Sequence, residues 1–416
     1  MSVVIRGGFP FVGERHQSAL VRAEGMYVFD QDGKRYADLC SGLWNMPLGY
    51  SNERIKSHVK KQLEKLPFSN LLAFFSDIQE QYAQRLIDWM GDFAYVLYTC
   101  SGSEAIEAAI KTCRKYQALK NRPERKKIAA FSLSYHGTSY GAMSVSGIDQ
   151  ILARDYAPLL SDISWLPLPA DWNSEKEWTE NIDCLFQKNG EQLAGFLVEP
   201  VLASGGVIPV PVPVLEHLQN RCQEYGTLLV VDEVATGFGR TGVPFAYQRA
   251  GLSPDLVCLS KAINNGYLPL GALLYGRTCA EIFTQKQACL EHFSTQGGNA
   301  VAVAAAMGLL ECMQEYACFQ VQEKGAFFLR LLQEGLQSKA NVRGCGLMLA
   351  VDFPEKFDGM EVLHTMELFK KRGLIVYMYN NEPYNRGISL FPPFLITQKE
   401  IETYSQQILT VLCRLL

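Results

Sequence analysis

"LLVVDEVATGFGRTG", residues 228–242, runs from four large aliphatic side chains into two adjacent carboxylates and then a glycine-rich loop. Four such residues in succession fit a strand of a parallel sheet that is covered on both faces. In open α/β sheets ligands sit beyond the carboxyl ends of the strands, so Asp232 at such an end is placed to meet a charged ligand. Taken alone, the acid pair equally fits a helix N-cap or a turn. The loop "TGFGRTG" matches neither GxGxxG nor the phosphate-binding pattern ending in GK[ST], which argues against a nucleotide site and a nicotinamide dehydrogenase.

Outward from this stretch, strand-like runs alternate with helical patterns from about residue 94 to 275. The strands are "FAYVLYTC", "KKIAAFS", "LAGFLVEPV", "TLLVVDEV", "DLVCLS" and "LGALLYG", with helices such as "SEAIEAAIKTCRKYQAL" and "VPVLEHLQNRCQEY" among them. That alternation predicts an α/β fold, a mostly parallel sheet flanked by helices. After residue 300 the pattern changes to long helices, short strands near 343–352 and 374–378, and a final helix, which predicts a smaller α+β domain. The stretch "GMYVFDQDGKRYADLC" fits a hairpin turning at Asp32-Gly33. The expected division is an N-terminal segment, 1–50, packing with a small domain at 299–416, and a large domain at 51–298.

The 416 residues are 48% hydrophobic and 20% charged, as in a folded globular chain. A net charge of −4 carries no basic excess, so nucleic acid and an acidic membrane surface are not expected partners. No apolar run approaches the roughly 20 residues of a membrane span. Acid and base interrupt "MSVVIRGGFPFVGERHQ" too early for a signal peptide. The twelve cysteines are scattered without a CxxC pair, several within apolar patterns, which fits free thiols in a reducing cytoplasm. The six histidines show no metal-ligand spacing, so no metal site is expected.

Three features bear on chemistry. Ser101 and Glu104 have capping-box spacing at the start of a helix that follows a strand directly, with Gly102 in its first turn. Open N–H groups there suit a phosphate, although a well-capped helix needs no ligand. Lys261 ends the strand "LVCLS"; such a lysine commonly snorkels to solvent, but one that is desolvated becomes a carbonyl nucleophile. An anion cradle, an acid at one strand end and a lysine at another are the parts that pyridoxal phosphate requires.

With these residues in view, the chain resembles the class III aminotransferases, pyridoxal-phosphate enzymes of fold type I. The resemblance runs from "SGLWNMPLGY" at 41 to "FPPFLIT" at 391, through "TCSGSEAIEAAIK", "SYHGTSYGAMSVSG", "VEPVLASGGVIP", "LLVVDEVATGFGRTG", "LSKAINNGYLPLGA" and "STQGGNAVAVAAA". "SGLWNMPLGY" and "QLEKLPFSNL" look most like the amine–pyruvate (ω-amino) branch. The resemblance implies a large domain with a mostly parallel, seven-stranded type of sheet. It makes Lys261 the Schiff-base lysine and proton shuttle, and Asp232 the partner of the pyridinium nitrogen. Val234 and Tyr135 would pack on the two ring faces, with His136 also in the cofactor set. Ser101, Gly102 and Ser103 would hold the phosphate, Glu199 would lie near cofactor and substrate, and Trp44 would wall the substrate pocket. Thr295 would reach the phosphate bound by a neighbouring subunit, which implies a homodimer.

Many members of that family carry an arginine ahead of the C-terminal prolines that grips a substrate carboxylate. Here residues 385–397 read "NRGISLFPPFLIT", with Ser389 in that place, and Arg386 or Arg240 as alternative carboxylate partners. The expected function is ping-pong transfer of an amino group between an amine or amino-acid donor and an aldehyde, ketone or 2-oxo acid. At least one substrate, a small molecule or a larger one with a terminal carbonyl, is expected to lack an α-carboxylate. An aminomutase and a decarboxylating transaminase are the alternatives on the same cofactor; a non-catalytic module on the same fold is a further one.

Overall fold

The computed structural model describes residues 19–148, 150–314 and 318–416. The strands follow in chain order as β1 (Leu20–Glu24), β2 (Tyr27–Asp30), β3 (Arg35–Asp38), β4 (Phe93–Thr99), β5 (Lys127–Phe131), β6 (Ile163–Leu166) and β7 (Leu193–Val198). A short hairpin, β8 (Val201–Leu202) and β9 (Ile208–Pro209), precedes β10 (Leu228–Asp232), β11 (Leu256–Leu259) and β12 (Gly271–Gly276). The C-terminal strands are β13 (Val342–Cys345), β14 (Met348–Asp352), β15 (Leu374–Ile375), β16 (Tyr377–Asn381) and β17 (Asn385–Leu390).

The central sheet has seven strands in the order β4-β12-β11-β10-β7-β5-β6. Only β12 runs against the others, because it pairs antiparallel with both β11 and β4. The aliphatic run at 228–232 is β10, and all five of its residues are buried. Its side chains alternate between two cores. Leu228 and Val230 meet the cluster built on helix Gly102–Leu119, while Leu229 and Val231 join the larger cluster with Trp178 and Leu218. The first helix lies close: a Cβ added at Gly195 of β7 would sit 2.5 Å from Cys113 Sγ.

A second sheet, β13-β14-β17-β16, is antiparallel and is followed by the final helix, Gln398–Leu415. The predicted hairpin forms between β2 and β3, with Gly33 at a φ of 79°. β15 pairs parallel with β3, so the N-terminal strands are hydrogen-bonded to the C-terminal region. Several strands escaped the sequence reading, among them β1, β6, β9 and β17. β6 is short and sits at a sheet edge, and β17 is interrupted by Gly387. Among the described residues no helix is long and apolar enough to cross a membrane.

Candidate active site

The carboxyl ends of β4, β5, β7, β10 and β11 open onto one solvent-connected cavity with about 550 Å³ of empty space. Each end contributes its own terminal residue or those just beyond it: Ser101–Ser103 after β4, Tyr135 and His136 after β5, Glu199 after β7, Asp232 from β10 and Lys261 after β11. Parallel strands aligned in one direction bring these distant residues together, and Trp44, Ser204 and Val234 complete much of the wall.

Asp232 is buried, with Oδ1 accepting from Val234 N at 2.9 Å and Oδ2 lying 2.7 Å from His136 Nδ1. With the acid ionised, the imidazole donates through Nδ1, leaving Nε2 buried and without a partner among the described residues. Glu199 Oε1 accepts from Tyr135 N at 2.9 Å and Oε2 from Ala203 N at 3.2 Å. Burial raises the Glu199 carboxyl above its ordinary value; His136 opposes that shift, and Asp232 adds to it. Lys261 makes no salt bridge among the described residues, and its Nζ lies 4.2 Å from the centroid of the Trp44 ring. Burial brings its pKa down to about 8, against the attraction of Asp232 and Glu199. Its backbone φ is 41°, a left-handed conformation that non-glycine residues adopt mainly where the surroundings enforce it.

The start of helix Gly102–Leu119 is open. Ser101 Oγ accepts from Glu104 N at 3.2 Å, whereas the Glu104 carboxylate takes the N–H of Cys100 instead of completing the expected box at Ser101. The first-turn N–H groups of Gly102 and Ser103 have no backbone acceptors among the described residues, at the positive end of an 18-residue helix. A Cβ at Gly102 would meet Val234 Cγ1 at 2.9 Å, so the cradle requires glycine there. An orphaned imidazole nitrogen, a half-buried lysine with no salt bridge among the described residues and a glycine-shaped anion cradle fit pyridoxal phosphate. Ser101–Ser103 would hold its phosphate, Asp232 its ring nitrogen and Lys261 its carbonyl carbon. Bound there, the group supplies a carbonyl for the amino group and a protonated ring that accepts electron density.

Other predicted site residues lie apart from this cavity. Arg240 is buried, and its guanidinium donates to Pro392 O at 2.7 Å, Leu347 O at 3.3 Å and Ser41 Oγ at 3.3 Å. Arg386 donates to Phe357 O at 2.6 Å and pairs with Glu382. Thr295 is exposed on the single chain. Ser389 is 1% exposed, and its Oγ has no partner among the described residues. It stands opposite Tyr377 in the β16–β17 ladder. Trp44 meets Tyr377 edge-on at 5.2 Å and stacks on Phe391 at 4.3 Å, so its indole packs over this region of the C-terminal sheet.

Two features escaped the sequence reading. Glu233, the second acid of "DE", is wholly buried and accepts from Tyr247 N at 2.7 Å and Thr236 Oγ1 at 2.5 Å. It clamps the glycine-rich loop, whereas Asp232 lines the cavity. A second chamber of about 760 Å³ adjoins the first, sharing Trp44, Tyr135, Ser204 and Lys261 and adding Leu43, Ile148 and the stretch 377–381. The side-chain alternation of β16 gave no sign of it.

The fold and the cavity together define a pyridoxal-phosphate enzyme of fold type I. Residues 12–412 match the family Aminotransferase class-III, and the chain belongs to that family. It is 33% identical over 404 residues to an acetylornithine aminotransferase from Bacillus cereus, covering 96% of both chains. A Bacillus anthracis aminotransferase structure superposes with a TM-score of 0.92 at 28% identity, covering 99% of this chain and 96% of that one. An amine transaminase from an uncultivated Pseudomonas species, solved in a PLP-bound form, gives a TM-score of 0.89 at 26% identity and 99% coverage of both chains. The protein is a PLP-dependent aminotransferase that moves an amino group between substrates.

Proposed function

We propose that this aminotransferase works on at least one substrate that carries no carboxylate at the reacting carbon, such as an amine, an aldehyde or a ketone. The observation that carries this is the charge of the site: among the described residues, the lining of both chambers includes one lysine, Lys261, and no arginine, and that lysine is committed to the cofactor. A buried carboxylate needs a charge-assisted donor, usually a bidentate arginine. Arg240 and Arg386 spend their donors on backbone carbonyls, and Ser389 brings a single hydroxyl. The amine transaminase among the structural relatives supports the reading; the acetylornithine aminotransferase keeps an amino acid in play as donor. In this assignment Lys261 Nζ carries the proton at the reacting carbon, Asp232 holds the ring nitrogen protonated, and Val234 and Tyr135 flank the ring.

The proposed active species is a homodimer of a reducing compartment, with Thr295 meeting the partner's phosphate. The exposed Leu72, Phe74, Phe75 and Phe293 favour a covered apolar surface, and the eleven cysteines with described side chains are free thiols. The division into residues 1–50, 51–298 and 299–416 is proposed on the same footing. Sedimentation of the active enzyme tests the assembly, since an active monomer contradicts it. Steady-state kinetics with benzylamine and phenylglycine, which differ only by the carboxylate on the reacting carbon, test the substrate reading. The amine should have a kcat/KM roughly tenfold or more higher, as expected when a buried acid loses its partner; a strong preference for phenylglycine would overturn the reading.

A further inference from the structure

The second chamber ends at β16, where Asn381 has its side-chain amide held in one orientation. Its amide nitrogen donates twice, to Ser204 O at 3.0 Å and to Asn385 Oδ1 at 3.0 Å. A backbone carbonyl can only accept, so the nitrogen must face Ser204 and the amide cannot be flipped. Both N–H groups are thereby used. Asn381 Oδ1 takes no hydrogen bond from the described residues, and Asn381 lines the chamber.

The support behind it is unusually complete. Asn385 donates to Gly205 O at 2.8 Å, and Arg343 Nε donates to Gly206 O at 2.8 Å and Val207 O at 3.2 Å. With Asn381, three side chains of the C-terminal sheet thus hold four consecutive carbonyls, 204 to 207. Arg343 is itself fixed by a two-pronged ion pair with Asp352. Val207 sits at a φ of 56°, where a β-branched residue is rarely found, so the turn's shape is imposed by this grip. A wall so held offers its acceptor in a fixed place.

We infer that Asn381 is a specificity-determining residue whose Oδ1 receives a hydrogen bond from the distal end of the substrate, so that the enzyme selects amines or carbonyl compounds ending in an N–H or O–H donor over those ending in a carboxylate. The chamber's neutral lining beyond Lys261, with the aromatic rings of Trp44, Tyr135 and Tyr377, suits a flat or apolar spacer between the two ends. A distal carboxylate would place acceptor against acceptor in a chamber whose one lysine among the described residues is taken.

This inference rests on the substrate reading above, and the probes vary the two features separately. Benzylamine and phenylglycine report on the reacting carbon alone. At constant reacting carbon, 4-(aminomethyl)benzamide offers a distal donor, methyl 4-(aminomethyl)benzoate only acceptors, and 4-(aminomethyl)benzoate a charge. The holoenzyme should favour the amide over the ester by about tenfold in kcat/KM, mostly through KM, and over the acid by more. Asn381→Ala should bring the amide-to-ester ratio close to one. If that variant does not fold, competitive inhibition of the wild type by benzamide and methyl benzoate gives the same comparison, with benzamide expected to bind more tightly. Equal use of amide and ester by the wild type, tighter binding of methyl benzoate, or an amide preference that persists in folded Asn381→Ala would each overturn the assignment. A preference for phenylglycine would instead count against the substrate reading and leave the tail comparison to stand or fall by itself.

Discussion

The two sheets contribute unlike things to one site. The seven-stranded sheet presents charged and strained groups at its carboxyl ends: Asp232 against His136, Glu199 buried, and Lys261 desolvated at a positive φ. The four-stranded sheet presents neutral ones: Ser389 with an unpartnered hydroxyl, Tyr377 against Trp44, and Asn381 held by its own nitrogen. Cofactor chemistry needs fixed charge at defined atoms, whereas choice among substrates is made by the shape and the hydrogen-bonding sense of the facing wall. Changes on the first sheet should therefore abolish turnover for every substrate, and changes on the second should re-rank substrates.

The largest expected effect breaks that comparison outright if it fails. Lys261→Met should lower turnover by on the order of three or more decades for all amines, because the group acts as a unit with the cofactor. The cofactor-free variant should be more stable than cofactor-free wild type at neutral pH. Lys261 has a folded pKa of about 8, below its ordinary 10.5, so the wild type bears a burial cost below pH 8 that is relieved as pH rises from about 8 to 10.5. Thermal melts across that range check the sign, and a slope of wild-type stability running the other way would contradict it.

The next effect concerns the arginines that were candidates for substrate binding. Arg240→Met should destabilise the protein by roughly 2–4 kcal/mol, since several buried acceptors lose their donor together. Arg386→Ala, at a half-open site with two carbonyl partners and one exposed acid, should cost about 1 kcal/mol or less. Neither should alter the KM ratio of phenylglycine to benzylamine. A rise in that ratio for either variant would show a carboxylate-binding arginine and erase the distinction between the two sheets.

The last effect sharpens the division between neighbouring acids. Burial pushes the Glu233 carboxyl up to about 7, so the folded state holds its proton over a range in which the unfolded state has released it. Its contribution to stability is fully present below about pH 4.5 and is lost as pH rises through about 7. Glu233→Gln should flatten that decline, by about 1–3 kcal/mol at its extremes, in denaturant titrations at pH 5 and pH 7.5. An unchanged slope would mean that Glu233 does not titrate as a buried clamp.

By itself, the sequence determined the strand run at 228–232, the helix start at 101–104, and the lysine and aspartate at strand ends. It did so because aliphatic runs, caps and breakers act over a few residues and leave their mark locally. The resemblance of six motifs to a family singled out Tyr135, Glu199 and Trp44, and all three line the cavity. Only the tertiary structure decided the rest. Asp232 and Glu233 are adjacent and chemically alike, and β10 sends one carboxylate to the cavity and the other under the loop. Arg240 was free to reach a substrate until Leu347, Pro392 and Ser41, more than a hundred residues away along the chain in each case, converged on its donors. The grip of Asn381, Asn385 and Arg343 on carbonyls 204–207 joins segments separated by well over a hundred positions. Hydrogen bonds of that kind depend on where folded elements meet, and a local pattern carries no trace of the meeting.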